Sequence, residues 1–295
     1  MSSASAAPAS WDDLPGPPVT RAEYCVLACA EAWRDAGEVL ASPMGTVPSI
    51  GARLARLTFS PDLLLTDGEA LLIGDVPAVG ERSEVTEGWL PHRRHLALVA
   101  TGRRHVMMGA SQIDRFGNQN ISCVGTWSRP ARQLLGVRGA PINTLNNPTS
   151  YWIPRHSPRS FVERVDMVCG VGYDRAAAAG PSATRYHRIS EVISDLGVFD
   201  FATPDHRMRL RSLHPGVTVE QVREATGFEL VVPSEVPSEM SPEALAKTSS
   251  QVPTEVSSKV PSGVPYTRKP TAAELRLIRE VIDPHGLRDR EVRTR

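Results

Sequence analysis

The order of apolar and polar positions along the chain predicts helices that alternate with short apolar strands. Thr20 and Glu23 form a capping box before an apolar-periodic stretch that runs to Trp33, and Gly37 is a natural stop for this first helix. Short apolar runs predict strands at 39–41, 63–65, 96–100, 106–108, 165–169 and 191–193. A half-exposed strand follows at 207–212, where apolar residues alternate with arginines. This interleaving indicates a layered α/β domain, which we place at 20–232.

The first predicted strand opens a strand–loop–helix unit. A turn rich in proline and glycine follows at 43–48, and Ser49 is placed to cap a helix that runs to about Leu57. Amide groups at such a turn and helix start attract anions, so we expect an anion-binding corner there. Near the end of the domain, Thr218 and Gln221 form a second capping box and open another helix.

Composition changes at both ends of the chain. Residues 1–19 are rich in Ala, Ser and Pro, without a basic start or an apolar core, and predict a disordered leader rather than a secretory signal. Residues 233–266 carry near-repeats of Val, Pro and Ser that cannot bury enough surface to order themselves, which predicts a flexible insertion. Within the tail at 267–295, Thr271 and Glu274 form a third capping box. We expect its short amphipathic helix to dock on the domain or on a partner.

Charge and composition exclude several classes of protein. Lys plus Arg and Asp plus Glu both total 33, a balance that argues against a nucleic-acid-binding protein. No run reaches the length of a membrane-spanning helix, and the cytoplasm is the default compartment. The four cysteines lack metal-site spacing and are interpreted as buried thiols, with no disulfide or zinc. Locally, several arginines leave room for a basic pocket that receives phosphates: Arg93, Arg94, Arg103, Arg104, Arg207, Arg209 and Arg211.

One segment carries the strongest indication of function. Residues 109–120 read G-A-S-Q-I-D-R-F-G-N-Q-N, which resembles the strand–turn segment of class I coenzyme A transferases, particularly glutaconate-type β subunits. Glycine lets a ligand approach the backbone closely, and asparagine offers both donor and acceptor groups. We expect Asn118 and Asn120 to face one side and Gln119 the other. The alternative, an Asx-type turn between core strands, stays open.

The resemblance extends over about 39–230 through three further segments, at 161–166, 195–199 and 213–218. It implies the three-layer α/β fold of this family, with a mostly parallel central sheet flanked by helices. It also implies an unlike α subunit as partner, in an α2β2 heterotetramer, with the active site between the subunits. No dinucleotide or nucleotide motif occurs, and no metal or redox cofactor is expected, because coenzyme A is part of the substrate.

The family's nucleophile is missing from its expected place. Glutaconate-type β subunits carry Glu-Asn-Gly at a strand end, where this chain reads Thr66-Asp67-Gly68. Their G-S-G-G-A-N-D loop for the thioester oxyanion is replaced at 136–152 by a different polar–aromatic sequence. That substituted loop resembles the β subunits of the family's actinobacterial cholesterol ring-cleaving hydrolase branch. In that branch the working glutamate belongs to the α subunit, and the reaction opens a carbocyclic ring of a coenzyme A thioester.

The candidate residues follow from these segments. Thr66 and Asp67 are candidates for catalysis, with the main base expected on the partner. Glu69 reads as a cap or ion-pair partner, and His156 as a lesser candidate for a base. The candidate substrate- and coenzyme A-binding residues are Gly45, Pro48, Gly68, Asn118, Asn120, Arg138, Gly139, Ala140, Asn143, Asn147 and His156. The turn that holds Gly45 and Pro48 could form the floor for an acyl or pantetheine chain, or be a structural turn only.

Two alternatives to the hydrolase subunit remain at this level. An ordinary coenzyme A transferase needs a carboxylate nucleophile, for which only Asp67 or Glu69 could substitute. A non-catalytic scaffold would only stabilise its partner. The polar–aromatic loop at 136–156 fits ligand contact and a subunit interface equally well.

Overall fold

The central feature of the molecule is a mixed β-sheet, seen in a computed structural model that describes residues 17–233 and 263–292. The strands are β1 (Leu40–Pro43), β2 (Leu65–Thr66), β3 (Leu71–Ile73), β4 (Thr86–Trp89), β5 (Arg104–Gly109), β6 (Gln112–Ile113), β7 (Gln119–Asn120), β8 (Cys123–Thr126), β9 (Arg129–Gln133), β10 (Pro148–Ile153), β11 (Arg188–Ser194), β12 (Gly197–Asp200) and β13 (Arg209–Leu213). Within the described residues, six of them form the central sheet in the order β1-β5-β10-β11-β12-β13. The first four run parallel, and the last two add antiparallel pairs.

Helices cover both faces of this sheet. They are α1 (Arg21–Glu31), α2 (Thr46–Leu57), α3 (His92–Val99), α4 (Ala140–Asn146), α5 (Tyr173–Ala179), α6 (Pro181–Thr184), α7 (Val219–Glu224), α8 (Ala272–Arg276), which continues as a π-helical turn (Leu277–Ile282), and α9 (Arg288–Glu291). The predicted three-layer α/β class with a mostly parallel sheet is therefore confirmed. The four cysteines are buried and unpaired, as expected of small apolar side chains.

Successive residues of each central strand enter two separate cores, as the two-residue period of a strand requires. On β5, Met107 packs with α1 and α2, whereas Val106 and Met108 belong to the opposite core. Trp152 and Tyr151 of β10 divide in the same way. A sheet buried on both faces explains why these strands read as continuous apolar runs.

The tail returns to the domain and closes the α1–α2 layer. Ile278 and Ile282 are fully buried in the core that α1 and α2 line, so of the two expected docking sites, the domain or a partner, the helix occupies the domain. Glu23, inside the capping box of α1, accepts hydrogen bonds from Arg279 at 2.6 and 2.9 Å. Burial acts to raise the pKa of Glu23, but the bonds from Arg279 and the Thr20 amide outweigh it and lower the pKa.

The predicted leader and insertion fall mostly on residues 1–16 and 234–262, which lie outside the described residues. The last part of the predicted insertion belongs to the fold. Pro265 O accepts from the Leu213 amide at 3.0 Å, and Tyr266 bridges Leu213 in parallel. Residues 263–266 thus extend the sheet beyond β13.

Two predicted strands were wrong. Residues 96–100 lie mostly in α3, which starts after Pro91 and leaves Leu96 exposed while Val99 is buried, a one-sided burial that a short apolar run does not reveal. Residues 165–169 form bends and irregular backbone, and the Asp166 amide donates to a side chain, Gln112 Oε1, at 3.0 Å.

Two other boundaries also differ from the sequence pattern. Helix α2 begins at Thr46 rather than after Ser49, because Gly45 takes a φ of 125° as its N-cap. The apolar run at 63–65 pairs with the central sheet through a parallel bridge between Leu64 and Leu40, and Leu65 instead pairs antiparallel with β3. The strand that carries Thr66 therefore belongs to a small separate sheet, β2-β3-β4.

Candidate functional site

The 109–120 segment folds into a turn that its own side chains hold closed. Asp114 Oδ1 accepts from the amides of Phe116 and Asn118, both at 3.0 Å. A Cβ at Gly117, which has a φ of 81°, would lie 2.6 Å from Ile189 Cδ1, so the turn requires glycine there. Burial raises the pKa of Asp114 to about 6, although hydrogen bonds from Asn118 act to lower it.

Asn118 and Asn120 are buried, and their side-chain amide groups form hydrogen bonds with other residues of the chain. Asn118 donates to Asp114 and Asp174 and accepts from the Gly172 amide at 2.8 Å. Asn120 donates to Gln112 Oε1 and to Cys123 O, each at 2.7 Å. The two amides engage different partners instead of converging on one point. In this arrangement they organise the turn, and a ligand would meet the backbone around them.

The 66–68 turn closes the hairpin from β2 to β3. Asp67 Oδ1 accepts from the amides of Glu69, Ala70 and Leu71 at 2.9–3.0 Å. Desolvation acts to raise the pKa of Asp67, but these backbone hydrogen bonds outweigh it and lower the pKa. A carboxylate of lowered pKa is a weak base, and three amides already compete for one of its oxygens. Glu69 is exposed and forms no ion pair within the described residues.

The predicted anion corner exists, and a carboxylate of the same chain fills it. Glu291 Oε2 accepts from the Val47 amide at 2.7 Å, in the first turn of α2. Glu291 Oε1 accepts from Trp152 Nε1 at 2.9 Å, and a Cβ at Gly45 would lie only 3.0 Å from it. Because α2 has no side-chain cap of its own, Glu291 serves as its remote cap. We refer to Gly45, Val47, Trp152 and Glu291 as the Glu291 corner.

The 136–147 segment contains α4 and buries two of its three asparagines, Asn143 and Asn147. Asn143 Oδ1 accepts from Arg104 Nη1 at 2.9 Å, and Asn147 Nδ2 donates to Val99 O at 2.8 Å. Arg138, with a φ of 50°, and Gly139 are exposed, whereas Ala140 is buried. The exposed side of this segment therefore includes Arg138, Gly139 and Ile142.

His156 is a fully buried histidine with both ring nitrogens bonded. Nδ1 lies 2.9 Å from Ser194 Oγ, and Nε2 lies 3.0 Å from Thr226 Oγ1. The ring stacks on Phe161 at a centroid distance of 3.5 Å. His156 also borders a cavity of about 480 Å³, with Arg21 and others. These contacts favour a structural role over that of a base.

Most of these groups lie near the carboxyl ends of parallel strands, the edge where open α/β sheets bind ligands. Gly45 follows β1, Gly109 ends β5 and His156 follows β10. No hydrogen bond joins the 66–68 turn to the start of α4 within the described residues. Gly45, the 109–120 turn and His156 thus lie at one edge of the sheet, whereas Asn147 precedes β10 and lies at the opposite end of that strand. The predicted residues do not form one closed pocket in the described part of the chain.

Comparisons with known proteins agree with this architecture. The family model for coenzyme A transferase matches residues 96–225. The chain is 54% identical over 274 residues to the cholesterol ring-cleaving hydrolase IpdB subunit of Rhodococcus jostii (strain RHA1), which covers 93% of this chain and 96% of that protein. The chain belongs to the coenzyme A transferase family, in its IpdB branch.

A further relative and a solved structure support the assignment. The IpdB subunit of Mycobacterium tuberculosis (strain ATCC 25618 / H37Rv) is 51% identical over 277 residues, covering 93% of this chain and 99% of that protein. The crystal structure of Rhodococcus jostii RHA1 IpdAB superposes with a TM-score of 0.81 at 52% identity, covering 94% of this chain and 100% of that chain. The expected family and fold are both confirmed.

Two residues at this site, Glu291 and Arg104, were not among the candidate site residues predicted from the sequence. Glu291 lies in a tail that only its helical period marked, and no local pattern links it to α2. Arg104 was one of several arginines, and only the structure shows that it is buried. Across residues 17–233 and 263–292, no cluster of three His, Cys, Asp or Glu side chains could hold a metal ion. None of the described helices has the length and apolarity needed to cross a membrane.

Proposed function

We propose that this chain is the β subunit of a heteromeric hydrolase that cleaves a carbocyclic ring of a coenzyme A thioester at the late, C/D-ring stage of cholesterol degradation. The observation that carries the proposal is the absence of a usable nucleophile at the 66–68 turn. Thr66 replaces the expected glutamate, and Asp67 is exposed and tied to three amides. The 54% identity to an IpdB subunit over 93% of the chain supports the same reaction.

The chemistry fits the loss of that glutamate. A transferase carries acyl and coenzyme A groups through covalent intermediates on a carboxylate. Hydrolytic cleavage of a carbon–carbon bond beside a carbonyl instead uses a base that activates water, together with donors that stabilise an oxyanion or enolate. Without the β-subunit glutamate, transfer is suppressed while the thioester-binding frame is retained. We assign the base to a glutamate of the α subunit, and no metal or redox cofactor to the reaction.

The exposed position of the candidate residues suggests how the two subunits share the active site. The exposed start of α4, at Arg138 and Gly139, and the strand end at Thr66 would line a pocket that the α subunit completes in an α2β2 assembly. Exposed Trp127 and Leu135, on and beside the β8–β9 hairpin, are side chains of the kind that subunit interfaces cover. The buried, unpaired cysteines are typical of a reducing compartment, and we place the enzyme in the cytoplasm.

Co-expression with the α subunit tests the proposal. The purified chain alone should not turn over the ring-containing thioester, whereas the assembled complex should consume it with uptake of water. Borohydride trapping followed by mass spectrometry should find no coenzyme A adduct on this chain. Turnover by the isolated chain would refute the division of labour, and an adduct on Asp67 or Glu69 would favour the transferase. Unchanged rates in an assembled complex that carries substitutions at both Thr66 and Arg138 would favour the scaffold.

A further inference from the structure

The structure divides the arginines of the chain into those with a carboxylate partner and those without one. The arginines at the end of the domain are paired, as Arg207–Asp205, Arg209–Asp200 and Arg211–Glu191. The group at 93–104 is different: among residues 17–233 and 263–292, Arg93, Arg94, Arg103 and Arg104 form no ion pair. Of the arginines predicted to receive phosphates, only those in this second group lack a carboxylate partner among the described residues.

Arg104 is the member of this group that is buried. Its exposed fraction is 8%. Nε donates to Ser42 Oγ at 2.7 Å and Nη1 donates to Asn143 Oδ1 at 2.9 Å, while Nη2 has no hydrogen-bond partner in the described part of the chain. Both partners are neutral. A buried cation without a counter-ion is costly, since neutral dipoles replace only part of its hydration.

Arg288 gives an internal comparison at the same degree of burial. It is also 8% exposed, but it lies 2.9 Å from Asp283 and 3.3 Å from Glu23, both carboxylates of this chain. At Arg288, which serves the fold itself, the chain supplies the counter-ions. The missing counter-ion at Arg104 therefore indicates an anion that comes from outside the described chain.

The surroundings of Arg104 favour an anion that carries more than one charge. The segment 92–104 reads H-R-R-H-L-A-L-V-A-T-G-R-R, with six basic side chains and no acidic one. Arg93, Arg94 and Arg103 are exposed, and Arg104 is close enough to His95 on α3 for its charge to act on that ring. Glu38 lines the same small cavity as Arg103, but no ion pair joins them within the described residues. One carboxylate would neutralise Arg104 and leave the other cations unmatched.

We propose that Arg104, together with Arg93, Arg94 and Arg103, binds the phosphate groups of the coenzyme A portion of the substrate; this rests on the proposed function. A guanidinium fork matches phosphate oxygens in a bidentate geometry, and Nη2 of Arg104 is free to take part. Strand β5 begins at Arg104 and ends at Gly109, a span of roughly 17–20 Å. An extended ligand such as coenzyme A can contact both ends of that strand, with its thioester at the 109–120 turn.

The test uses the assembled complex and adenosine 3′,5′-bisphosphate, which represents the phosphate-bearing part of coenzyme A and lacks the thioester. By calorimetric titration, Arg104→Gln should weaken the bisphosphate about tenfold or more, as expected for loss of a charge-assisted hydrogen bond. Arg93→Gln/Arg94→Gln, which alters only exposed side chains, should weaken it by a smaller factor. Arg207→Gln, at an arginine already paired with Asp205, is the matched control and should stay within about twofold of wild type. Added salt should weaken binding to wild type more than to Arg104→Gln.

Kinetics and assembly complete the test. Arg104→Gln should raise KM for the thioester with kcat largely kept, and the affinity for pantetheine, which lacks the bisphosphate, should not change. Equal bisphosphate affinity in wild type and the Arg93→Gln/Arg94→Gln variant, or in an assembled Arg104→Gln complex, overturns the proposal. The proposal is also overturned if Arg104→Gln dissociates the complex while Arg93→Gln/Arg94→Gln binds the bisphosphate normally. That result would indicate a carboxylate of the α subunit as the counter-ion of Arg104. Because the bisphosphate is bound and not cleaved, the binding results are independent of whether the complex opens a ring.

Discussion

Removing the Glu291 carboxylate should loosen the start of α2 and lower the stability of the whole fold. Glu291 accepts from the Val47 amide at 2.7 Å and from Trp152 Nε1 at 2.9 Å. Val47 is fully buried, and Trp152 is nearly so. In Glu291→Ala both donors lose their acceptor, and α2 loses a negative charge at its N-terminus, where the N-cap residue Gly45 has no side chain that could replace it.

The size of the effect follows from those contacts. An unsatisfied buried donor costs about 1–3 kcal/mol, and a favourable charge at a helix N-terminus contributes about 0.3–1 kcal/mol. Glu291 is half-buried, so water can reach part of the corner. We therefore expect Glu291→Ala to lose about 2–4 kcal/mol of unfolding free energy. Glu291→Gln, which keeps one carbonyl oxygen, should lose about half as much.

The assay is thermal and urea unfolding of the assembled complex, with hydrogen exchange of the Val47 amide as the local measurement. Glu280→Gln is the control, because Glu280 is exposed in the same tail and has no hydrogen-bonding or ion-pair partner in the described residues. For a chain of this size, the loss in Glu291→Ala corresponds to a Tm shift of about 5–10 °C. A Glu291→Ala complex that matches Glu280→Gln in Tm and in exchange of the Val47 amide would refute the capping role of Glu291.

Three further variants probe other parts of the structure. Asp67→Asn in the complex should keep ring-opening kcat within about threefold, because this side chain holds a turn; a fall above about 100-fold in a folded complex would make Asp67 catalytic. Gly117→Ala should cost about 2–4 kcal/mol in urea unfolding, since its Cβ would lie 2.6 Å from Ile189 Cδ1, whereas Gly80→Ala, with nothing within 4 Å, should cost only about 1–2 kcal/mol. Burial, with a smaller contribution from Arg188, lowers the pKa of His105 to about 3, so its contribution to stability is present above pH 6.5 and is lost as pH falls toward 3. His105→Gln should therefore reduce the slope of unfolding free energy against pH between 4 and 6 by about 1.4 kcal/mol per unit, and parallel curves would contradict the assigned shift.

Local signals in the sequence predicted local structure well. The capping boxes at Thr20, Thr218 and Thr271 form as expected, because each needs only a hydroxyl and a Glu or Gln three residues later. The buried strands around Met107 and Val192 follow from apolar runs that suit a sheet covered on both faces. The family motifs predicted the fold beyond what periodicity could supply.

Long-range contacts account for what could not be predicted. The apolar run at 96–100 is compatible with a strand or a helix. Its packing beside α4, which the local sequence does not show, favours the helix α3. The burial of Arg104 depends on Ser42 and Asn143, which are distant in the sequence. The anion corner was expected from the start of α2, but its occupant, Glu291, lies 244 residues further on.

That separation has a consequence for how the protein is made. Translation proceeds at about 5–20 residues per second, so roughly 12–50 s pass between synthesis of Val47 and of the Glu291 that caps its helix. During that interval α2 emerges with its first turn uncapped, and the indole of Trp152 also awaits its acceptor. We therefore expect docking of the tail to be the last step of folding, and nascent chains stalled before residue 291 to expose the α1–α2 layer to chaperones and proteases.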